Sequence, residues 1–129
     1  MTRVNLVCVK TLSDQHLLAE HREIKRIPVL VKKYKVNSQE IPKKYVMWKW
    51  HVKFFYNKQS FLKKRYISLH NECLKRWFKV QNYINNWDFI DDELLNDYKP
   101  TKEEIIISKN RIKEKIKLKK DFYTFTSYK

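Results

Sequence analysis

The chain contains no glycine in its 129 residues. P-loops, dinucleotide-binding fingerprints and EF-hand loops all need glycine for tight turns or for close approach of the backbone to a ligand. The chain therefore cannot use any of these devices to bind a nucleotide cofactor or calcium. Two-residue hairpin turns also depend on glycine, so its absence favours helices over hairpin-rich sheets. We predict an all-α fold.

Length and charge limit the number of domains and the class of partner. A chain of 129 residues with 43% hydrophobic residues can bury one core, so we expect one domain over residues 1–129. The net charge is +15, from 29 Lys and Arg against 14 Asp and Glu. Such a charge predicts a polyanionic partner, with nucleic acid first and a membrane surface second. The basic residues are spread along the chain rather than confined to one amphipathic segment, which favours nucleic acid.

The N-terminal region shows no apolar signal segment, and no run of about eighteen apolar residues could span a membrane. We therefore expect a cytoplasmic, DNA-associated protein with no membrane partner. Cys8 and Cys73 are far apart and form no CxxC motif, so we expect both thiols to be reduced and buried.

An arm and one helix are predicted near the N-terminus. Residues 2–10 alternate between apolar and polar side chains and are too short for a sheet without partners, which indicates an extended arm. N-cap candidates in the segment 11–14 predict a helix from about Ser13 to Arg26, ending before Pro28. For residues 29–39 a helix and an irregular packed segment both remain open.

Two longer helices are predicted further on. Ser60 can cap a helix that runs to about Lys79, with apolar residues at roughly helical spacing. Its solvent side is expected to carry Lys63, Lys64, Arg65, Lys75 and Arg76. Residues 81–96 are polar and acidic and predict a connecting loop with one helical turn. Beyond Pro100, a capping box at 101–104 predicts a third helix. Its expected buried stripe is Ile105, Ile112 and Ile116. The prediction is a compact all-α domain of three main helices with long irregular connections.

One face of the first predicted helix places a carboxylate between two guanidinium groups. At about 100° per residue, Ala19, Arg22, Glu23 and Arg26 share one arc. His16 and Glu20 lie beside this arc, and the neighbouring side carries the expected core residues Leu17, His21 and Ile24. The two arginines favour an ionised Glu23. By itself, the pattern is more typical of a solvated helix face with ion pairs worth tenths of a kcal/mol each.

A likeness to a known family gives the same residues a second interpretation. The matching pieces include Thr2-Arg3, Asn5-Leu6, Asp14 to Leu17, Ala19-Glu20, Arg22-Glu23, Arg26, His51 to Lys58, Glu72 to Arg76, Asp97 to Pro100, Arg111 and Glu114 to Ile116. They resemble the phage endonuclease V family, which are pyrimidine-dimer DNA glycosylases with abasic-site lyase activity. The likeness runs in order along most of the chain and is weak at about 28–47 and 80–96.

The resemblance implies a catalytic role for two residues. In this family the initiator methionine is removed and the α-amine of the threonine, here Thr2, becomes the nucleophile. An α-amine has an ordinary pKa of about 7.7–8.0, so a useful fraction is neutral at physiological pH. The amine would attack C1′, expel the base and form an imine, and elimination would then break the strand on the 3′ side. Glu23 matches the family's essential acid, which would move protons during these steps.

The resemblance also implies a DNA-binding surface for double-stranded DNA that carries pyrimidine dimers or abasic sites. Arg22 and Arg26 match phosphate-gripping arginines, and Arg3 would bind a phosphate beside the nucleophile. Gln15 and His16 are expected to contact DNA or to order Arg3.

Two basic residues of the third predicted helix, Arg111 and Lys115, match the family's DNA surface. We expect a monomer without a cofactor. No metal site is expected either, because His16 and His21 are five positions apart and not on one helical face.

The sequence departs from the family in two segments. Met47 to Trp50, which includes Trp48, replaces a glycine-containing approach to His51. The tail 122–125 keeps one tyrosine, and its aromatic residues are as consistent with core packing as with base stacking. Two alternatives stay open: a basic helical DNA-binding protein without catalysis, and an abasic-site lyase with another damaged-base preference. The combination of Thr2 with Glu23 and its arginines argues against a protein that only binds.

Overall fold

The computed structural model describes residues 3–34, 36, 41–45 and 51–126. Within these ranges the helices are α1 (Asp14–Ile24), α2 (Arg26–Lys33), α3 (His51–Phe54), α4 (Gln59–Lys75) and α5 (Lys102–Leu118). Short 3₁₀ turns occupy Val9–Thr11, Ile84–Trp87 and Asp92–Leu94. These ranges contain no strand, only an isolated bridge between Lys58 and Leu95. The all-α prediction is confirmed. No helix in the described ranges is long and apolar enough to cross a membrane.

α1 and α2 follow one another almost without a break. The hydroxyl of Ser13 accepts a hydrogen bond from the backbone N–H of His16 and caps α1. The helix ends before Pro28, as predicted, and α2 begins at Arg26. Pro28 lies in the first turn of α2, where its missing N–H costs no helical hydrogen bond. Of the segment 29–39, which was open between helix and irregular structure, residues as far as Lys33 are helical.

α4 ends four residues earlier than the predicted Lys79. The reason is Trp77, whose φ of 67° is left-handed. Its N–H donates to the carbonyl of Leu74 and the N–H of Phe78 donates to the carbonyl of Cys73, which together form a Schellman cap. Glycine is the usual residue at this position; in a chain without glycine, tryptophan occupies it at a cost of about 1–2 kcal/mol.

α5 has the predicted start. Thr101 and Glu104 form the capping box, and each side chain binds the backbone N–H of the other residue. Of the predicted stripe, Ile112 is buried, whereas Ile105 and Ile116 are only partly buried against the core. The helix packs along the N-terminal arm, because the backbone N–H of Leu6 donates to Ser108.

The N-terminal arm lies inside the molecule. Residues 4–7 are all buried, and Val4 is part of the hydrophobic core. The core continues between α1 and α4, where Leu17, Ile24 and Leu69 have no exposed surface. The predicted inner side of α1 is therefore confirmed, including His21, which is 4% exposed.

Two arginines expected on the solvent side of α4 lie inside instead. The side chains of Arg65 and Arg76 are 10% and 3% exposed. Each pairs with a buried carboxylate and binds backbone carbonyls of the N-terminal region, which offsets the cost of burying the charge. The other three basic residues, Lys63, Lys64 and Lys75, are exposed as expected.

The cysteine prediction is half correct. Cys73 is buried, but Cys8 is exposed at the end of the arm, and both thiols are free.

Candidate active site

Glu23 lies between two guanidinium groups on the outer face of α1. Arg22 Nε is 3.4 Å from Glu23 Oε1, and Arg26 Nη1 donates to Oε2. The glutamate side chain is 17% exposed, whereas those of Arg22 and Arg26 are 63% and 59% exposed. A shielded carboxylate therefore lies beneath two arginines that can still reach a phosphate.

Glu23 also borders a cavity of about 100 Å³ that joins the arm, α1 and α5. Its lining residues are Arg3, Asn5, His16, Ala19, Glu20, Glu23 and Arg111. Ala19 leaves room for the cavity because a larger side chain at the middle of this face would fill it. The cavity brings a carboxylate together with cations from two elements that are distant in sequence.

Two arginines and a histidine on the cavity wall have shifted pKa values. Burial, and then the charge of Arg111, lower the pKa of Arg3. Burial also lowers the pKa of Arg111. For His16, burial and then the charges of Arg111 and Lys115 lower the pKa, so its imidazole is neutral at neutral pH. Partly desolvated cations on the wall of a cavity favour an anionic ligand such as a phosphate.

The second carboxylate at the cavity, Glu20, is paired with Arg65 and Asn5 on the interior side of α1. Arg65 Nε donates to Glu20 Oε2 at 2.7 Å and Asn5 Nδ2 donates to Oε1 at 2.8 Å. The Glu20 side chain is 1% exposed. Glu20 therefore anchors the arm to α1 and α4, and Glu23 is the carboxylate that an incoming molecule can meet.

The C-terminal segment completes one side of the site. The ring of Tyr123 stacks on His16 with centroids 4.7 Å apart and planes 4° apart. His16 Nδ1 lies 2.8 Å from the hydroxyl of Ser13, which fixes the ring at the first turn of α1. Thr124 exchanges two hydrogen bonds with the side-chain amide of Gln15.

The structure brings together most of the predicted site residues. The cavity is lined by Arg3, His16, Glu23 and Arg111. Arg22 and Arg26 flank Glu23. Lys115 is close enough to His16 for its charge to lower the pKa of the histidine. Gln15 is engaged with Thr124 rather than with Arg3. Thr2 lies outside the described residues, as do Trp48 and Trp50.

Sequence reasoning missed the parts played by Asn5 and Tyr123 and the anchoring role of Glu20. The matched pairs Asn5-Leu6 and Ala19-Glu20 contained two of them, but their contacts come from the tertiary fold. For Tyr123, the only sign in the sequence was that the tail keeps one tyrosine of the family.

A family model described as pyrimidine dimer DNA glycosylase matches residues 1–86 of the 129. The chain belongs to this family. The match includes the arm and helices α1 to α4, and so every cavity residue except Arg111.

This pyrimidine dimer DNA glycosylase acts on DNA that contains pyrimidine dimers, and the resemblance seen in its sequence is confirmed over residues 1–86. A glycosylase must reach a sugar carbon that is hidden in stacked duplex DNA, so the damaged region has to be opened. A rim of exposed arginines around a recessed carboxylate suits that task, because the rim can hold the backbone while the carboxylate meets the opened nucleotide.

Proposed function

We propose that this glycosylase uses the α-amine of Thr2, freed by removal of Met1, as its nucleophile and Glu23 as its acid and base, and that it is also an abasic-site lyase. One observation carries the proposal: Arg3, which is bonded directly to Thr2, lines the same cavity as Glu23. Consecutive Cα atoms are about 3.8 Å apart, which supports a position for the amine of residue 2 close to this cavity.

In the first step the neutral amine attacks C1′ of the damaged nucleotide. The C1′–N bond breaks, its electron pair leaves with the pyrimidine, and the sugar opens as the amine becomes an iminium. The Glu23 carboxylate stabilises the cationic sugar and accepts and returns the proton that ring opening requires.

In the second step the iminium makes the C2′ hydrogens acidic. Glu23 removes one of them, the C3′–O bond breaks, and the phosphate leaves with the electron pair. The strand is then cut on the 3′ side of the lesion, and hydrolysis of the imine releases the enzyme. The same chemistry starts from a preformed abasic site, which is why lyase activity accompanies glycosylase activity.

The cationic side chains around Glu23 would hold the DNA. Arg22 and Arg26 are exposed and offer planar donors to phosphates. Arg3 and Arg111 line the cavity, so they would bind the phosphates next to the opened nucleotide. We infer that His16, on the cavity wall, and Lys115 join this surface, that Gln15 contributes by holding the tail against it, and that the enzyme acts on cellular DNA as a monomer.

The proposal is tested by trapping the imine. A 32P-labelled duplex with one abasic site is mixed with the enzyme and borohydride, and the covalent complex is measured on a denaturing gel. Mass spectrometry first establishes that the terminus is Thr2. We expect a covalent complex with that form, and none with the form that keeps Met1 or with an acetylated terminus.

Glu23→Gln should abolish strand cleavage and leave DNA affinity largely intact, because the substitution removes the acid and base but keeps the shape. Glu103→Gln is the matched control, since Glu103 is exposed on α5 and lies outside the cavity. Cleavage that survives both the retention of Met1 and Glu23→Gln would overturn the mechanism.

A further inference from the structure

The backbone of the N-terminal arm is held by side chains. In the described ranges the arm has no strand to pair with. Instead Leu6 N–H donates to Ser108 and the carbonyl of Val7 accepts from Arg65. Buried backbone groups need such partners, and here they come from α4 and α5.

Val4 is bound on both of its peptide groups. Its N–H donates to His51 Nε2 at 2.8 Å, and its carbonyl accepts from the hydroxyl of Tyr45 at 3.1 Å. His51 and Tyr45 are 1% and 4% exposed, and their rings pack edge to face with centroids 5.3 Å apart. The two side chains therefore form one clamp around a single residue, which lies two positions after Thr2.

The donor and acceptor roles of His51 and Tyr45 follow from their hydrogen bonds and their burial. Because Nε2 of His51 accepts a hydrogen bond, this nitrogen carries no proton, and a doubly protonated imidazole could not hold Val4. Burial raises the pKa of Tyr45 to about 12, so its hydroxyl keeps its proton and stays a donor. Neither group is used by the reaction steps described above.

We propose that His51 and Tyr45 are positioning residues, which fix the peptide groups of Val4 and thereby aim the Thr2 amine at C1′; this rests on the proposed function of that amine. An α-amine belongs to the backbone and not to a side chain. Its position therefore depends on the first residue at which the backbone is held in place. Between the fixed peptide groups of Val4 and the amine, the chain contains only residues 2 and 3. Reacting atoms must come within about 3–3.5 Å, and a misplacement of about 1 Å can cost about 100-fold in rate.

A pair of tyrosines tests the clamp. Tyr45→Phe removes the hydroxyl that binds Val4, whereas Tyr66→Phe removes a buried hydroxyl that donates to the carbonyl of Gln81, away from the arm. Single-turnover trapping on abasic DNA at saturating enzyme gives the rate of imine formation, and titration gives the Kd. We expect Tyr45→Phe to slow imine formation roughly tenfold, which is about the worth of the hydrogen bond to Val4, with Kd unchanged. Tyr66→Phe should leave both values near wild type.

Two variants of His51 provide the rescue test. His51→Leu removes the acceptor and should slow imine formation on the order of 100-fold. His51→Gln places an amide oxygen near the position of Nε2 and should recover most of the rate. Urea unfolding of each variant shows whether it is folded at the assay temperature, and Tyr45→Phe carries the test if His51→Leu is not.

The outcomes separate the two proposals. If the wild-type enzyme with a free Thr2 forms no trapped complex, the proposed function fails and the positioning role fails with it. If the wild type is trapped but Tyr45→Phe reacts as fast as Tyr66→Phe, only the positioning role is overturned. A change in Kd without a change in rate would also overturn it, because it would assign the clamp to DNA binding.

Discussion

Asp14 and Arg76 meet in the interior of the protein, with Oδ1 and Nη1 3.1 Å apart. Their side chains are 8% and 3% exposed. The same guanidinium donates to Glu72 Oε2 at 2.9 Å, and it also binds the carbonyls of Val9, Lys10 and Leu12. Arg76 therefore links the turn before α1 to the C-terminal end of α4. This link fixes the position of α1, and with it the position of Glu23.

Replacing Arg76 should be strongly destabilising. Arg76→Met keeps the aliphatic stem but removes a charged donor from two buried carboxylates and three carbonyls, and breaking such a pair costs about 3–5 kcal/mol. Urea unfolding followed by circular dichroism measures the change in the free energy of unfolding. Lys64→Met is the control, because the Lys64–Asp97 pair is exposed and should contribute little. Equal midpoints for the two variants would contradict the anchoring role of Arg76.

The Asp14 carboxylate should make stability depend on pH in the acid range. Burial alone would raise its pKa, but hydrogen bonds from Thr126, Thr124 and Arg76 outweigh burial and hold the pKa below its ordinary value. A carboxyl whose folded-state pKa is lowered contributes stability above its unfolded pKa of about 3.9 and loses it as the pH falls through the folded pKa. The stability difference between wild type and Asp14→Asn should therefore be constant above about pH 5 and shrink as the pH falls below it, as measured by urea titrations at each pH. A constant difference would show that this carboxylate has the same pKa in both states.

The stack of Tyr123 on His16 should be visible in the titration of the histidine. Burial is the largest cause that lowers the His16 pKa, and the tyrosine ring covers one face of the imidazole. Tyr123→Ala should therefore raise the His16 pKa toward about 6.5, its ordinary value. Phe125→Ala is the control, because Phe125 is 58% exposed. NMR titration of the histidine ring protons measures the His16 pKa in both variants. If this pKa were unchanged in Tyr123→Ala, residues other than Tyr123 would be responsible for the burial of His16.

Local signals in the sequence predicted α1, α4, α5 and the outer face of α1, but not α2 or α3. The capping box of α5 and the core side of α1 depend on residues within one or two turns, so spacing was enough to find them. The positions of Arg65 and Arg76 could not be predicted in this way. A charged residue on a helix is expected to face solvent unless a buried partner of opposite charge is known. The partners of Arg65 and Arg76 are Glu20 and Asp14, which lie on another helix. The cavity has the same origin, because it joins Arg3, Glu23 and Arg111 from three elements.

The two cysteines should differ in reactivity. Cys8 is exposed, whereas burial raises the pKa of the Cys73 thiol to about 11 and removes it from solvent. Because the thiolate is the reactive form, iodoacetamide at neutral pH should label Cys8 alone in the folded protein and both thiols in denaturant. Peptide mass spectrometry distinguishes the two sites. Labelling of Cys73 under native conditions would show that α4 opens at its C-terminal end.

Two lysines of α5 should differ in their effect on DNA binding. Lys115 lies close enough to His16 to act on its pKa, whereas Lys113 lines a groove between α5 and the arm beside Leu6 and Cys8. If the DNA lies across Glu23, a phosphate can pair with Lys115 while Lys113 points elsewhere. Each phosphate contact releases counterions, so Lys115→Ala should weaken binding and reduce the slope of log K against log salt concentration by about 1. Lys113→Ala should leave the slope unchanged, which fluorescence anisotropy over a salt series can measure. Equal slopes for the two variants would mean that the DNA does not approach α5 from the side of Glu23, because both lysines carry the same charge and only the side they face differs.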